Sequence, residues 1–214
     1  MQIEPTARTR VRRLPKRASY DRQLVESIID EALSCHVGFA IEGRPWVVPT
    51  IHARIDDRLY LHGAAANHML GSLADGIEAC VTITLVDGLV LARSAFHHSM
   101  NYRSVMIFGR AVRVDDTDEK DAALHALVEH VVPGRTADAR PPSAEELRKT
   151  SVLQMAITEA SAKVRTGGPV DDEDDMALPI WAGQVPISTT YAAPTPEPGI
   201  TAPVPGYVSG YRRP

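Results

Sequence analysis

The stretch Arg93-Ser-Ala-Phe-His-His-Ser-Met-Asn-Tyr-Arg-Ser-Val-Met-Ile-Phe-Gly109 decides how the rest of the chain is read. Its first half gathers rings, hydroxyls and an amide, while Val105 to Phe108 is an apolar run that belongs in a core. A strand that carries polar groups to the edge of a core suits a large, flat, hydrogen-bonding ligand. Asn101, Tyr102, Arg103 and Ser104 supply an amide, a phenol, a guanidinium and a hydroxyl at that edge. The residues alone serve two readings equally: ligand contacts, or the polar end of a hairpin with Arg103 in a surface ion pair.

Outward from this stretch, strands dominate. His36–Ile41, Trp46–Arg54 and Leu59–His62 are joined by Glu42-Gly43-Arg44-Pro45 and Asp56-Asp57, connections short enough to make an antiparallel meander. Asp87-Gly88 between β-rich runs predicts a hairpin joining strands 79–86 and 89–96. Further strands are expected at Val105–Val114, Val152–Ile157, Ala162–Arg165 and Pro179–Val185. Helical spacing of Leu24, Val25, Ile28, Ile29, Ala32 and Leu33 predicts a helix ending near Cys35. Another begins at Thr117 with Ala123, Leu124, Leu127, Val128 and Val131 on one face, and Ser143-Ala-Glu-Glu146 has capping-box spacing. Six or seven antiparallel strands with peripheral helices point to a small barrel, mainly β, and the hairpin connections argue against a parallel α/β sheet.

Around this domain, read as residues 19–190, lie two tails. Residues 1–18 form a basic arm, read as a solvated or partner-draped terminus in preference to a polyanion-binding one. Residues 191–214 are rich in Pro, Gly and Thr and are expected to be disordered. The five acids Asp171, Asp172, Glu173, Asp174 and Asp175 are expected in an exposed loop.

Composition narrows the function. With 214 residues, 44% hydrophobic and 23% charged, the chain is expected to be soluble and globular, and its net charge of −4 gives no reason to expect nucleic acid. The apolar runs are strand-length, so no membrane span is expected, and no apolar segment follows the N-terminal arginines as a secretory signal requires. Two cysteines in apolar contexts suit a reducing compartment, and the cytoplasm is the expected location. No Gly-x-Ser-x-Gly elbow, Walker-A or dinucleotide glycine pattern occurs. The eight histidines lack a zinc spacing, and His97-His98 on a strand would point to opposite faces, so no metal site is expected. Tyr60-Leu-His-Gly-Ala-Ala-Ala-Asn-His-Met69 runs from a strand through small residues into a helix, where backbone N–H groups, Asn67 and His68 could meet an anion.

These segments resemble the pyridoxamine 5′-phosphate oxidase-like superfamily, in its flavin-nucleotide-binding and nitroimidazole-reductase-like branch. The likeness spans roughly Thr9 to Pro186 and rests on Cys35-His-Val-Gly38, Val48-Pro49-Thr50, Tyr60-Leu-His-Gly63, Leu85-Val-Asp-Gly88, His97-His-Ser-Met-Asn-Tyr-Arg-Ser104 and Trp181-x-Gly183-x-x-Pro186. It implies a six-stranded split β-barrel homodimer binding FMN at the subunit interface and acting on a small organic molecule. Val48, Pro49, Thr50 and Ile51 would lie along the flavin. Leu61, His62, Gly63, Asn67 and His68 would receive its phosphate, Asn101 to Ser104 would hold the ring or tail, and Trp181 would approach from the partner. Where many relatives carry Arg or Lys pairs in the phosphate turn, this chain has Asn67, His68 and Met69, so FMN binding is expected to be weak or pH-sensitive. His97, His98, Arg103, Lys163 and Arg165 are candidates for the substrate side, with no catalytic acid or base assigned. Two alternatives stand: a haem-binding or haem-degrading split barrel with a histidine axial ligand, and a non-catalytic flavin-binding or storage protein.

Overall fold

A computed structural model describes residues 1–213. In chain order the elements are β1 (Ala18–Ser19), α1 (Arg22–Glu31), β2 (Ser34–Ile41), β3 (Arg44–Ile55), β4 (Arg58–Ala64), α2 (His68–Ala74), β5 (Glu78–Leu91), β6 (Ser99–Arg110), β7 (Val112–Arg113), α3 (Thr117–Val131), α4 (Ala144–Lys149), β8 (Thr150–Ala156), β9 (Glu159–Arg165), β10 (Gly183–Pro186) and α5 (Gly206–Ser209). The strands form one antiparallel ladder in the order β1-β9-β6-β5-β2-β3-β4-β8-β7, with β10 added to β5. The ladder is not closed, as suits a split barrel. Ten strands are present rather than six. β1, two residues long, is too short to show a period, while β7 continues the expected Val105–Val114 strand past a break at Ala111 and β10 falls at the end of the expected Pro179–Val185 strand.

The β2–β3 turn places Glu42 (φ 49°) and Gly43 (φ 76°) in the left-handed region, the geometry that matches strand twist in a two-residue hairpin. β3 then serves two partners. Arg44–Ile51 pairs with β2, and His52–Ile55 pairs with β4. At the changeover alternation fails, because His52 and Ala53 are both buried in succession. This is where the sheet splits.

The Asp87-Gly88 hairpin does not form. Strand β5 runs unbroken for 14 residues, with a bulge between Val86 and Gly88 in its pairing with β6. Neither Asp87 nor Gly88 has the positive φ that such a turn requires. The glycine serves close approach instead: a β-carbon at Gly88 would come within 3.0 Å of the Val185 carbonyl oxygen on β10. The chain leaves β5 at Leu91 and makes a short 3-10 turn at Ala95–His97, so His97 and His98 are not strand neighbours.

The main core lies between α1, α2 and the inner faces of β2, β4, β5, β6, β8 and β9. α1 starts at Asp21, whose carboxylate accepts the Leu24 N–H (3.0 Å), and it buries Val25, Ile28 and Ile29. It ends at Glu31, and its last turn has no basic residue of its own. Its exposed carbonyls are met from elsewhere: Ile29 O by His52 Nε2 (2.9 Å), Ala32 O by His130 Nε2 (2.8 Å), and Asp30 O and Glu31 O by Arg213. Helix α3 covers a smaller core of Tyr60, Val114, Ala123 and Val152.

Both tails pack on the domain. Ile3 and Thr9 are buried, and Arg8 pairs with Glu78 and Glu159 beneath the Phe108 ring. The C-terminal segment, expected to be disordered, instead returns to the domain. Tyr211 donates to Val131 O, and its ring meets Tyr191 edge to face at 4.6 Å. The acidic loop also differs from expectation. Asp171 has a side chain only 1% exposed and accepts from Arg93 N (2.8 Å), Arg93 Nη1 (3.0 Å) and Ser94 N (3.4 Å). Burial pushes its carboxyl up, but these donors outweigh that and hold it below its ordinary value.

Candidate functional site

The residues singled out in β6 alternate across the sheet. Arg103 turns to the α1 side, where it pairs with Glu31 and with Asp87 (Nη2 to Oδ1 2.7 Å, Nε to Oδ2 3.0 Å). Hydrogen bonds to these two carboxylates raise its already high pKa. Asn101 is buried, donating to Gln184 Oε1 (2.7 Å) and accepting from Arg165. Arg165 is itself buried and donates to Gly167 O (3.0 Å) and Gly168 O (2.9 Å). Asn101 and Arg103 are therefore occupied within the chain, while Arg165 is bonded through its two terminal nitrogens and keeps a buried Nε without a partner.

Tyr102 and Ser104 lie on the opposite face, opposite Val86 and Thr84 of β5. The same face continues through Thr82 and Met106, and through His36 to Pro49. Directly paired residues share a face, so Val47, Pro49 and Ile51 stand in line with this surface, whereas Val48 and Thr50 point the other way. Val47, Ile51 and Met106 are exposed, and Val48 packs against the main core. The result is a broad outer sheet face of small, apolar and hydroxyl side chains.

In the β4–α2 turn, Asn67 is a helix cap: its Oδ1 accepts the Leu70 N–H (3.0 Å). Two turn amides are also committed, Ala65 N to Lys149 O and Asn67 N to Ala64 O (2.8 Å each). His68 is exposed, its ring 5.8 Å from that of Trp46. Leu61 is buried in the core, Gly63 is half-buried beside Leu70 and Asn67, and Trp181 is exposed. His97 meets Asp172 (3.1 Å), His98 meets Ser94 O (3.0 Å), and Lys163 is half-buried.

His62 stands apart. It lines a cavity of about 850 Å³ between α3, the segment 132–142 and strands β3, β4 and β8, which contribute Ile51, His62 and Thr150. Leu124, Leu127, Val128 and Val131 make the apolar wall, Ile51 closes one side, and Arg135 and Arg140 sit at the polar end. The His62 Nδ1 is buried without a hydrogen-bond partner, and burial lowers the pKa of the ring. His125 also lines the cavity, with Nε2 3.4 Å from Thr136 Oγ1. Arg135 donates to the Tyr207 hydroxyl (3.1 Å), and Arg140 pairs with Glu146 (2.6 Å).

Of the sequence-derived candidates, the structure brings only Ile51 and His62 to this cavity. The α3 and 132–142 residues were missed because their apolar face reads as ordinary core. The one usable signal was surplus: Ala123 and Leu127 suffice to seat α3, while Leu124 and Val131 are half-buried and Val128 is exposed.

Among solved structures, the flavocytochrome Anf3 from Azotobacter vinelandii is 40% identical, with 98% of this chain and 99% of that one covered and a TM-score of 0.92. An FAD- and haem-binding protein from Mycobacterium smegmatis is 35% identical, covering 92% and 98%, with a TM-score of 0.88. A putative 5-nitroimidazole antibiotic resistance protein from Bacteroides thetaiotaomicron is 30% identical, covering 69% and 86%, with a TM-score of 0.56. No curated protein matches. The family model described as pyridoxamine 5′-phosphate oxidase matches residues 21–164, and the chain belongs to that family.

Proposed function

We propose that this protein is a redox protein that binds a flavin nucleotide and a haem and acts as a homodimer on a small organic molecule or dioxygen. The observation that carries the haem reading is His62, a half-buried imidazole whose buried Nδ1 has no hydrogen-bond partner, at the wall of a largely apolar cavity of about 850 Å³. A neutral imidazole is what an iron centre takes as ligand, and burial keeps this ring neutral below the ordinary histidine value. The aliphatic wall offers apolar contact to a ring face, and Arg135, whose side chain is bonded only to a neutral phenol, is placed to meet a carboxylate. His125 is the second candidate ligand, but it is exposed and has a hydroxyl neighbour.

The outer sheet face around Val47, Pro49, Ile51, Thr82, Ser104 and Met106 is the surface we assign to the partner subunit and to the flavin at the seam. FAD is favoured over FMN, because the relative from M. smegmatis, aligned over nearly its whole length, is an FAD- and haem-binding protein. A bound flavin supplies two-electron chemistry and a bound haem one-electron and dioxygen chemistry. Asn101 and Arg103, already occupied within the chain, shape the sheet end rather than move protons. Two free cysteines, one buried and one half-buried, suit the cytoplasm, where we place the protein. No helix among the described residues is long and apolar enough to cross a membrane.

The test is an absorbance spectrum of the purified protein with haemin added, and mass identification of the released flavin. A Soret band at one haem per chain together with FAD is expected. Protein that takes up flavin but leaves haemin free would reduce the reading to a flavoprotein, and uptake of neither would end it.

A further inference from the structure

A second, smaller cavity of about 150 Å³ is walled by Arg113 of β7, Lys120 of α3, Arg148 of α4 and Ser151 of β8, with Ala65 of the β4–α2 turn at its side. Three cations and one carboxylate, Asp115, line it, in a chain whose net charge is −4. Three other arginines of the domain are each matched with acids: Arg103 has Glu31 and Asp87, Arg54 has Asp30, and Arg93 has Asp171. Arg113 and Arg148 have no carboxylate partner among the described residues. Lys120 donates to Leu147 O (2.6 Å), which ties α4 to α3 and holds the ammonium at the cavity. Ser151, 7% exposed, adds a hydroxyl donor, and the turn beside it carries small side chains. Like charges held together around a space of this size repel one another unless an anion joins them. The volume is too small for a ring system and suits one phosphoryl group, whose two charges match the excess.

We propose that this cavity binds a phosphoryl group through Arg113, Arg148 and Lys120. The assignment does not depend on the haem reading, and it rests on the flavin reading only where the phosphoryl group is the flavin's own. The group has two possible sources: the phosphate of a bound flavin nucleotide, reached past Ala65, or a separate phosphorylated small molecule. Either source answers the shortage of cations in the β4–α2 turn itself, where Asn67 is spent on capping α2.

Calorimetry with pyrophosphate on the full chain tests the site directly. The wild type is expected to bind it, and the Arg113→Ala/Arg148→Ala double variant to bind about 10-fold or more weakly, given the strength of charge-assisted bonds. Arg113→Lys/Arg148→Lys is expected to retain most of the affinity. Both arginines are exposed, so unfolding midpoints should be unchanged. In a second arm, FMN and riboflavin are titrated into both proteins. Loss of FMN affinity alone assigns the site to the flavin's own phosphate, while unchanged flavin affinities assign it to a separate ligand. Equal pyrophosphate affinity in wild type and double variant overturns the proposal.

Discussion

The Asn101–Ser104 segment of β6 and the cavity around His62 are both rich in groups able to bind a ligand, yet they differ in one respect. In β6 the strongest groups are occupied: Arg103 by two carboxylates, Asn101 by Gln184 and Arg165. Beneath α3, His62 keeps a buried nitrogen with no partner, beside open apolar volume. Buried polar groups are ordinarily hydrogen-bonded, so an unsatisfied one beside a cavity marks where something else is meant to bind. Density of polar residues is a poor guide to a site; unmet demand is a better one.

The contrast can be broken most directly at His62. His62→Leu should weaken haem binding by about 100-fold or more, since loss of a mere supporting contact already costs a metal site 10- to 100-fold. Haem titration followed at the Soret band measures this, with His125→Leu expected to bind normally. A His62→Leu protein with wild-type affinity would erase the distinction between the two regions.

Next in size is an acid effect from the neighbouring His52. This ring is fully buried, with one nitrogen spent on Ile29 O and the other unpartnered, and burial lowers its pKa to about 4. The unfolded chain keeps the ordinary value near 6.5, so below that pH the unfolded state binds the extra proton. Stability should therefore be full above about pH 6.5 and fall by about 3 kcal/mol as the pH drops toward 4. His62 and His130, lowered by burial too, act in the same direction. Urea unfolding at pH 7 and pH 4.5 checks the slope, and His52→Gln, which keeps a donor but does not titrate, should flatten it.

Arg103→Met tests the other side of the comparison. It leaves Glu31 and Asp87 facing each other, partly buried, and should cost about 2 kcal/mol at pH 7, discounted from the fully buried case for partial exposure. Haem affinity should not change. Restored stability in the triple variant with Glu31→Gln and Asp87→Asn would show that repulsion was the cause. The smallest effect is expected from Arg213→Ala, about 1 kcal/mol, because each of its bonds to an α1 carbonyl is part-buried. A variant as stable as wild type would mean that the tail contributes nothing to the end of α1.

Much of the fold was legible. The period-2 runs and tight turns of β2, β3 and β4 defined the meander, the 3.6-residue spacing defined α1 and α3, and the Ser143–Glu146 capping box formed as its spacing requires. The Asp87-Gly88 reading failed because turn chemistry is permissive rather than binding, and β10, from about 100 residues away, paired across the position. Asp171 was misread for the same reason: its acidity predicted exposure, and Arg93 supplied a reason for burial. Of the candidate site, His62 was within a quoted motif and Ile51 directly followed one, but nothing local marked them as lining a cavity shared with α3.

Patterns of apolar spacing, turns and caps act between residues near one another in the chain, so the sequence by itself determined an antiparallel β domain with flanking helices. Which polar groups would be satisfied was decided only in three dimensions, because the partners of Arg103, Asn101 and Asp171 lie 16 to 83 residues away. The same folding left the buried Nδ1 of His62 without a partner at the wall of an apolar space, and hydrogen-bond demand, unlike hydrophobic periodicity, is settled by whatever long-range neighbours the packing delivers.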